Sequence, residues 1–149
     1  MRGLNLRSMR VAALLSLAAL LWGPVGGCCC QQDPCLANKT IEDATVEQAK
    51  ALIDDYANDA TLVILDVRTA DEVAQNGRIA GSTNLDYNSG ELTAALDTLD
   101  RDKMYLVYCA GGVRSDAAVA EMADACFQTV YDMLGGFAAW EDANYPVVN

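Results

Sequence analysis

Two short apolar runs, Leu62–Val67 (LVILDV) and Met104–Tyr108 (MYLVY), most restrict what this chain can fold into. Neither alternates polar with apolar residues, as a strand with one wet face would, so each is expected to be a strand covered on both faces. Stretches of helical pattern separate them. Thr45-Val46-Glu47-Gln48 and Thr69-Ala70-Asp71-Glu72 both have the capping-box form, a Thr whose hydroxyl takes the amide three residues on and a Gln or Glu that reaches back. Ala49, Leu52 and Ile53 give the first of these helices one apolar face. Glu91–Leu99 reads as a helix, as does the stretch from Arg114 to about Ala125, where Ala117, Ala118, Val119 and Met122 are apolar. Thr83–Leu85 and Val130–Met133 read as brief strands, and Phe137–Asn144 as a last short helix after Gly135-Gly136. Strands separated by helices predict an α/β fold: an open parallel β-sheet flanked by helices on both faces, formed by residues 41–149.

The start of the chain reads differently. Met1–Arg10 carries Arg2, Arg7 and Arg10 without an acid, and Val11–Trp22 (VAALLSLAALLW) follows as an apolar or small-residue run. The run is shorter than the roughly 20 residues that cross a bilayer. A basic start before such a run is the pattern of a signal peptide, here 1–27. Val25-Gly26-Gly27-Cys28 resembles a bacterial lipoprotein cleavage box, which implies cleavage before Cys28, lipidation of Cys28 and an anchor on the periplasmic side of the envelope. Ordinary cleavage with release into the periplasm is the rival reading. Residues 28–40 (CCCQQDPCLANKT) are polar, contain Pro34 and read as a tether.

Charge and residue content exclude several classes of function. Ten basic residues face 21 acidic ones, a formal net charge of −11, which argues against a nucleic-acid partner. The chain has no histidine, so Cys-His and Ser-His catalytic pairs and histidine metal sites are ruled out. The six cysteines fall into a crowded group, Cys28, Cys29, Cys30 and Cys35, and two distant residues, Cys109 and Cys126. The crowded group is able to hold a disulfide after export, but spacing does not assign one.

Cys109-Ala110-Gly111-Gly112-Val113-Arg114-Ser115 carries the chemistry. The better of the two buried strands ends directly at Cys109, and ligands in open parallel sheets sit at the carboxyl ends of strands. Two glycines let the backbone turn so that successive amides face inward as an anion-holding nest. A helix beginning near Arg114 aims its positive end at the same place, and Arg114 adds a forked cation. All of these favour thiolate over thiol. The arrangement works only if the sulfur is open to solvent and the neighbouring amides are directed at it.

C-x4-R-S after a buried strand resembles the active loop of the rhodanese family. Leu65-Asp66-Val67-Arg68 with Glu72 is similar to that family's L-D-V-R-x-x-x-E signature, and Gly77-Arg78-Ile79-Ala80-Gly81-Ser82 to its G-H-I-P-G-A turn. Leu134-Gly135-Gly136-Phe137 with Trp140 and Tyr145-Pro146-Val147 is similar to its closing segment. The resemblance runs from about Ile41 to Val148. It implies a sulfurtransferase in which Cys109 takes the outer sulfur of thiosulfate or a related donor as a persulfide and passes it to a thiol or cyanide. The loop residues Ala110, Gly111, Gly112, Val113 and Arg114 would bind substrate, and no metal or organic cofactor is needed.

The departures also set expectations. Arg78 and Ala80 stand where the family usually has His and Pro. Cys126 falls where relatives often have Gly at a helix end; it is expected either as a small buried side chain or as a second thiol that resolves the Cys109 persulfide. Asp66 and Arg68 are expected to pair near the site for structural reasons, and Trp140 to lie in the core. Two other functions compete: a persulfide carrier that scarcely turns over, and a small phosphatase. Phosphatases of the C-x5-R type would need Arg at position 115, which is Ser115.

Overall fold

The computed structural model describes Cys35, residues 39–57 and residues 59–149. The expected signal peptide over 1–27, the expected lipidation site Cys28, and Cys29 and Cys30 lie outside the described residues. The chain runs β1 (Thr40–Ala44), α1 (Val46–Asp55), β2 (Leu62–Asp66), α2 (Ala70–Asn76), β3 (Thr83–Asn84), α3 (Glu91–Ala95), β4 (Met104–Tyr108), α4 (Val113–Asp124), β5 (Thr129–Met133) and α5 (Gly136–Asp142). The strands form one sheet in the order β1-β5-β4-β2-β3, and every pairing is parallel. This is the open parallel sheet the sequence predicts.

Successive side chains of β4 go to opposite faces. Tyr105 and Val107 join Leu65, Leu92, Ala118, Val119, Met122 and Phe127 in a core beneath α3 and α4. Leu106 and Tyr108 join Ala49, Ile64, Met133, Phe137 and Trp140 in a second core beneath α1 and α5. Both capping boxes form in full, with Thr45 and Gln48 starting α1 and Thr69 and Glu72 starting α2. Trp140 is buried, as expected. The helix expected over Glu91–Leu99 is shorter, and its regular part stops at Ala95.

Strand β1 is not apparent in the sequence. Its TIEDA segment has no apolar run because it pairs only with β5 at the sheet edge, and it stays partly exposed. An edge strand needs neither two apolar faces nor a long run.

The expectations for Cys126 are corrected by its bond. Cys126 is joined to Cys35, 91 residues away, and both lie at the end of α4 remote from Cys109. It is therefore neither a free buried side chain nor a resolving thiol, since the length of α4, roughly 18 Å, separates it from Cys109. Its backbone is one that glycine adopts without strain: φ is +69°, the left-handed conformation that closes many helices. Cys35 likewise finds its partner outside the crowded N-terminal group. Closing a loop of that length stabilises the fold by about 4–5 kcal/mol on chain entropy.

Candidate active site

The site is built where β4 ends and α4 begins. Cys109 continues β4 on the face covered by α4, and its neighbour Tyr108 is held from below. The Tyr108 hydroxyl donates to Asp66 Oδ2 at 2.8 Å, lies 3.1 Å from Ser82 Oγ and accepts the Ile79 amide at 3.2 Å. Arg68 grips the same carboxylate with two nitrogens, Nε to Oδ1 at 2.9 Å and a terminal nitrogen to Oδ2 at 2.6 Å, and also donates to the Gly77 carbonyl at 2.7 Å. Asp66 and Arg68 thus pair as the sequence predicts, fully buried, and fix the floor beneath the loop.

The loop turns back over the sulfur. Gly112 has φ of +106°, which only glycine adopts without strain, and the turn brings its amide to donate to Cys109 Sγ at 3.1 Å. Burial by itself pushes the Cys109 thiol up, but the amide and hydroxyl of Ser115 and the amides of Gly111 and Gly112 outweigh it, and the thiol lies below its ordinary value. The Ser115 hydroxyl also reaches the Gly112 carbonyl at 2.9 Å. Among the described residues Cys109 is the free cysteine.

The expected donor set is met in part. The amides facing the sulfur belong to Gly111, Gly112 and Ser115. Ala110 instead offers its carbonyl to the Ala138 amide at 3.0 Å, and the Val113 side chain stands in solvent, 84 % exposed. Arg114 turns both terminal nitrogens to Glu72, each at 2.7 Å, so its charge is largely offset. The guanidinium in turn holds the Glu72 carboxyl down at about 2. Arg114 remains within electrostatic reach of Cys109 and Asp86.

The requirement for an open sulfur is not met in this conformation. Cys109 is 1 % exposed, beneath its own loop.

Ser115, Glu72 and the turn before α5 escaped the sequence reading as functional residues. Ser115 and Glu72 both lie within the family-like motifs, which carry no separate signal for their roles. The turn reaches the site through backbone alone. The Phe137 amide donates to the Cys109 carbonyl at 2.7 Å, and Gly136 lies so close that an added Cβ would meet that carbonyl oxygen at 2.5 Å.

The chain is similar to known proteins. Residues 45–143 match the model of the rhodanese-like domain. The thiosulfate sulfurtransferase GlpE of Stutzerimonas stutzeri is 36 % identical over 100 residues, 67 % of this chain and 84 % of that protein. A rhodanese-related protein from Thermoplasma volcanium is 32 % identical with a TM-score of 0.60, over 72 % of this chain and 97 % of the other. A Rhodopseudomonas palustris protein of unknown function, for which tyrosine phosphatase is named as a possibility, is 35 % identical with a TM-score of 0.62, over 72 % and 85 %.

Proposed function

Because this chain belongs to the rhodanese-like domain family, we propose that it moves a sulfane sulfur from thiosulfate or a related donor to a thiol or cyanide through a Cys109 persulfide. One observation carries the reading: the free thiol at the end of β4 accepts the Gly112 amide and lies below its ordinary pKa. In the first step the Cys109 thiolate attacks the outer sulfur of thiosulfate. A sulfur–sulfur bond forms, the bond to the sulfonate sulfur breaks, and sulfite leaves with that electron pair. In the second step the acceptor attacks the outer sulfur of the persulfide, and the Cys109 thiolate is regenerated. This is two-step covalent catalysis and gives ping-pong kinetics. The amides of Gly111, Gly112 and Ser115 hold the negative charge on Cys109 and on its persulfide. Arg114, paired to Glu72, braces the first turn of α4 and adds a partly offset positive field.

A carrier that is loaded but scarcely turns over is the second reading, favoured by the burial of Cys109. A steady-state thiosulfate:cyanide assay separates the two. Turnover that Cys109→Ser abolishes is expected; a persulfide adduct in the mass spectrum with negligible turnover would leave only the carrier. The phosphatase reading is disfavoured because Ser115, not Arg, occupies the position that C-x5-R needs. Hydrolysis of an aryl phosphate would revive it.

The proposal extends to location. Export with lipid attachment at Cys28 rests on the basic start, the apolar run and the Gly-Gly-Cys box, and the Cys35–Cys126 disulfide suits an oxidising compartment. Cys28→Ala is expected to release the protein from membranes, and an unchanged membrane fraction would remove the anchor.

A further inference from the structure

One buried acid has no task in the transfer described above. Asp132 lies on β5, 5 % exposed, and its Oδ1 is buried without a hydrogen-bond partner. An ionised carboxylate in such a place is costly, and the usual escape is to keep its proton. Asp132 is paired in register with Val107, two residues before Cys109 and on the face beneath α4. Ser115 is fully buried on α4, which packs on β5, and it weighs electrostatically on both the carboxyl and the sulfur.

A hydroxyl has one proton to donate. Around Ser115 are three acceptors: the Gly112 carbonyl, the Cys109 sulfur and the Asp132 carboxyl. An ionised Asp132 competes for that proton. A protonated Asp132 donates to Ser115 Oγ instead, leaving the Ser115 proton to the other two. The geometry points to Asp132 as a positioning residue that acts through Ser115, holding a proton while Cys109 carries negative charge and giving it up when Cys109 is neutral. The assignment rests on the reading of Cys109 as the nucleophile.

The surroundings agree. Burial pushes the Asp132 carboxyl up to about 6; Ser115 pulls it down, while Asp43 from β1 and Asp116 from α4, the charged groups that weigh on it, push it further up. The group therefore changes state close to neutral pH. A thiolate or persulfide on Cys109 is a further like charge nearby, so each of the two sites disfavours ionisation of the other. As pH rises through about 6, Asp132 ionises and makes thiolate formation harder.

The test reads the thiol, not the transfer. The full chain, with its disulfide intact, is labelled with iodoacetamide across a pH series and the rate at Cys109 is followed by mass spectrometry. Asp132→Asn keeps a permanent donor toward Ser115, so its profile is expected at lower pH by about half a unit to one unit, labelling about three- to tenfold faster above about pH 6, where wild-type Asp132 is ionised, and equally fast well below it. In a Ser115→Ala background the same substitution is expected to change little. A profile that superimposes on wild type, or an equal displacement without Ser115, overturns the assignment. Should Asp132→Asn not fold, the wild-type chain still answers. Its infrared spectrum is expected to keep a protonated-carboxyl band at about pH 5.5, above the range of ordinary carboxylates, and loss of that band before then overturns the assignment. Labelling uses no sulfur donor, so a chain without turnover still reports on Asp132, and a chain with turnover but no displacement removes Asp132 alone.

Discussion

Replacing Arg68 with alanine is expected to cost about 3–5 kcal/mol of stability, the range seen when one partner of a buried ion pair is removed. Arg68 is 1 % exposed and Asp66 is fully buried, so the carboxylate left behind has no route to water. The substitution also strands the Gly77 carbonyl and opens a space beside Phe137, whose ring lies 3.8 Å from the guanidinium carbon. Domains of this size have a net stability of roughly 5–15 kcal/mol, so the loss is a large share of the whole. Thermal unfolding followed by circular dichroism is expected to show a fall in Tm on the order of 15 °C or more. Arg68→Lys is expected to recover little, because a single ammonium cannot replace a fork that meets two carboxylate oxygens and a carbonyl together. A change within about 0.5 kcal/mol, the range of ordinary surface substitutions, would show that the network contributes nothing net.

The same network explains which parts of this molecule its sequence reveals. Asp66 and Arg68 are two residues apart in one motif, so their pairing follows from local geometry. The capping boxes at Thr45 and Thr69 are legible for the same reason: donor and acceptor lie within one helical turn. Strands β2 and β4 declare themselves because both of their faces are covered. Edge strand β1, covered on fewer sides, does not. The hidden features are those that pair residues far apart in the chain. The sequence contains Cys35 and Cys126, and Glu72 and Arg114, but no spacing rule joins them. Asp132 is harder still. In a V-Y-D-M strand an acid reads as a solvent-facing residue, and only the packing of α4 over β5 shows that it is buried beside Ser115.

The site shows this division most sharply. Position along the chain makes Cys109 the candidate, because a buried strand ending in a glycine-rich turn places a thiol at the rim of a parallel sheet. What the sequence does not convey is the balance of forces on the sulfur. Arg114 was expected to supply the positive field, and its pairing with Glu72 transfers most of that task to amides and to the Ser115 hydroxyl. The cover over Cys109 is likewise a property of the folded loop, and on the proposed reading loop position would govern sulfur transfer.

Gly136→Ala tests that dependence. A Cβ at Gly136 would lie 2.5 Å from the Cys109 carbonyl oxygen and 2.9 Å from the carbonyl carbon and oxygen of Ala110. All three are backbone atoms, so no flexible side chain can yield, and the loop itself must shift. It would shift against the bonds that seat it, from the Phe137 amide to the Cys109 carbonyl and from the Ala138 amide to the Ala110 carbonyl. A displacement of about 1 Å at a reacting group costs on the order of a hundredfold in rate, and a loss of that size in kcat/KM for sulfur transfer is expected. Gly135→Ala is the control. It carries a comparable left-handed φ, +74° against +60°, but its Cβ meets the Ala139 methyl and not the loop backbone. Both variants bear the left-handed penalty of roughly 1–2 kcal/mol, and Gly136→Ala adds the cost of moving the loop, so the activities are compared on protein shown to be folded. If folded Gly136→Ala transfers sulfur as fast as the Gly135→Ala protein, the seat that α5 provides for the Cys109 loop does not govern the reaction.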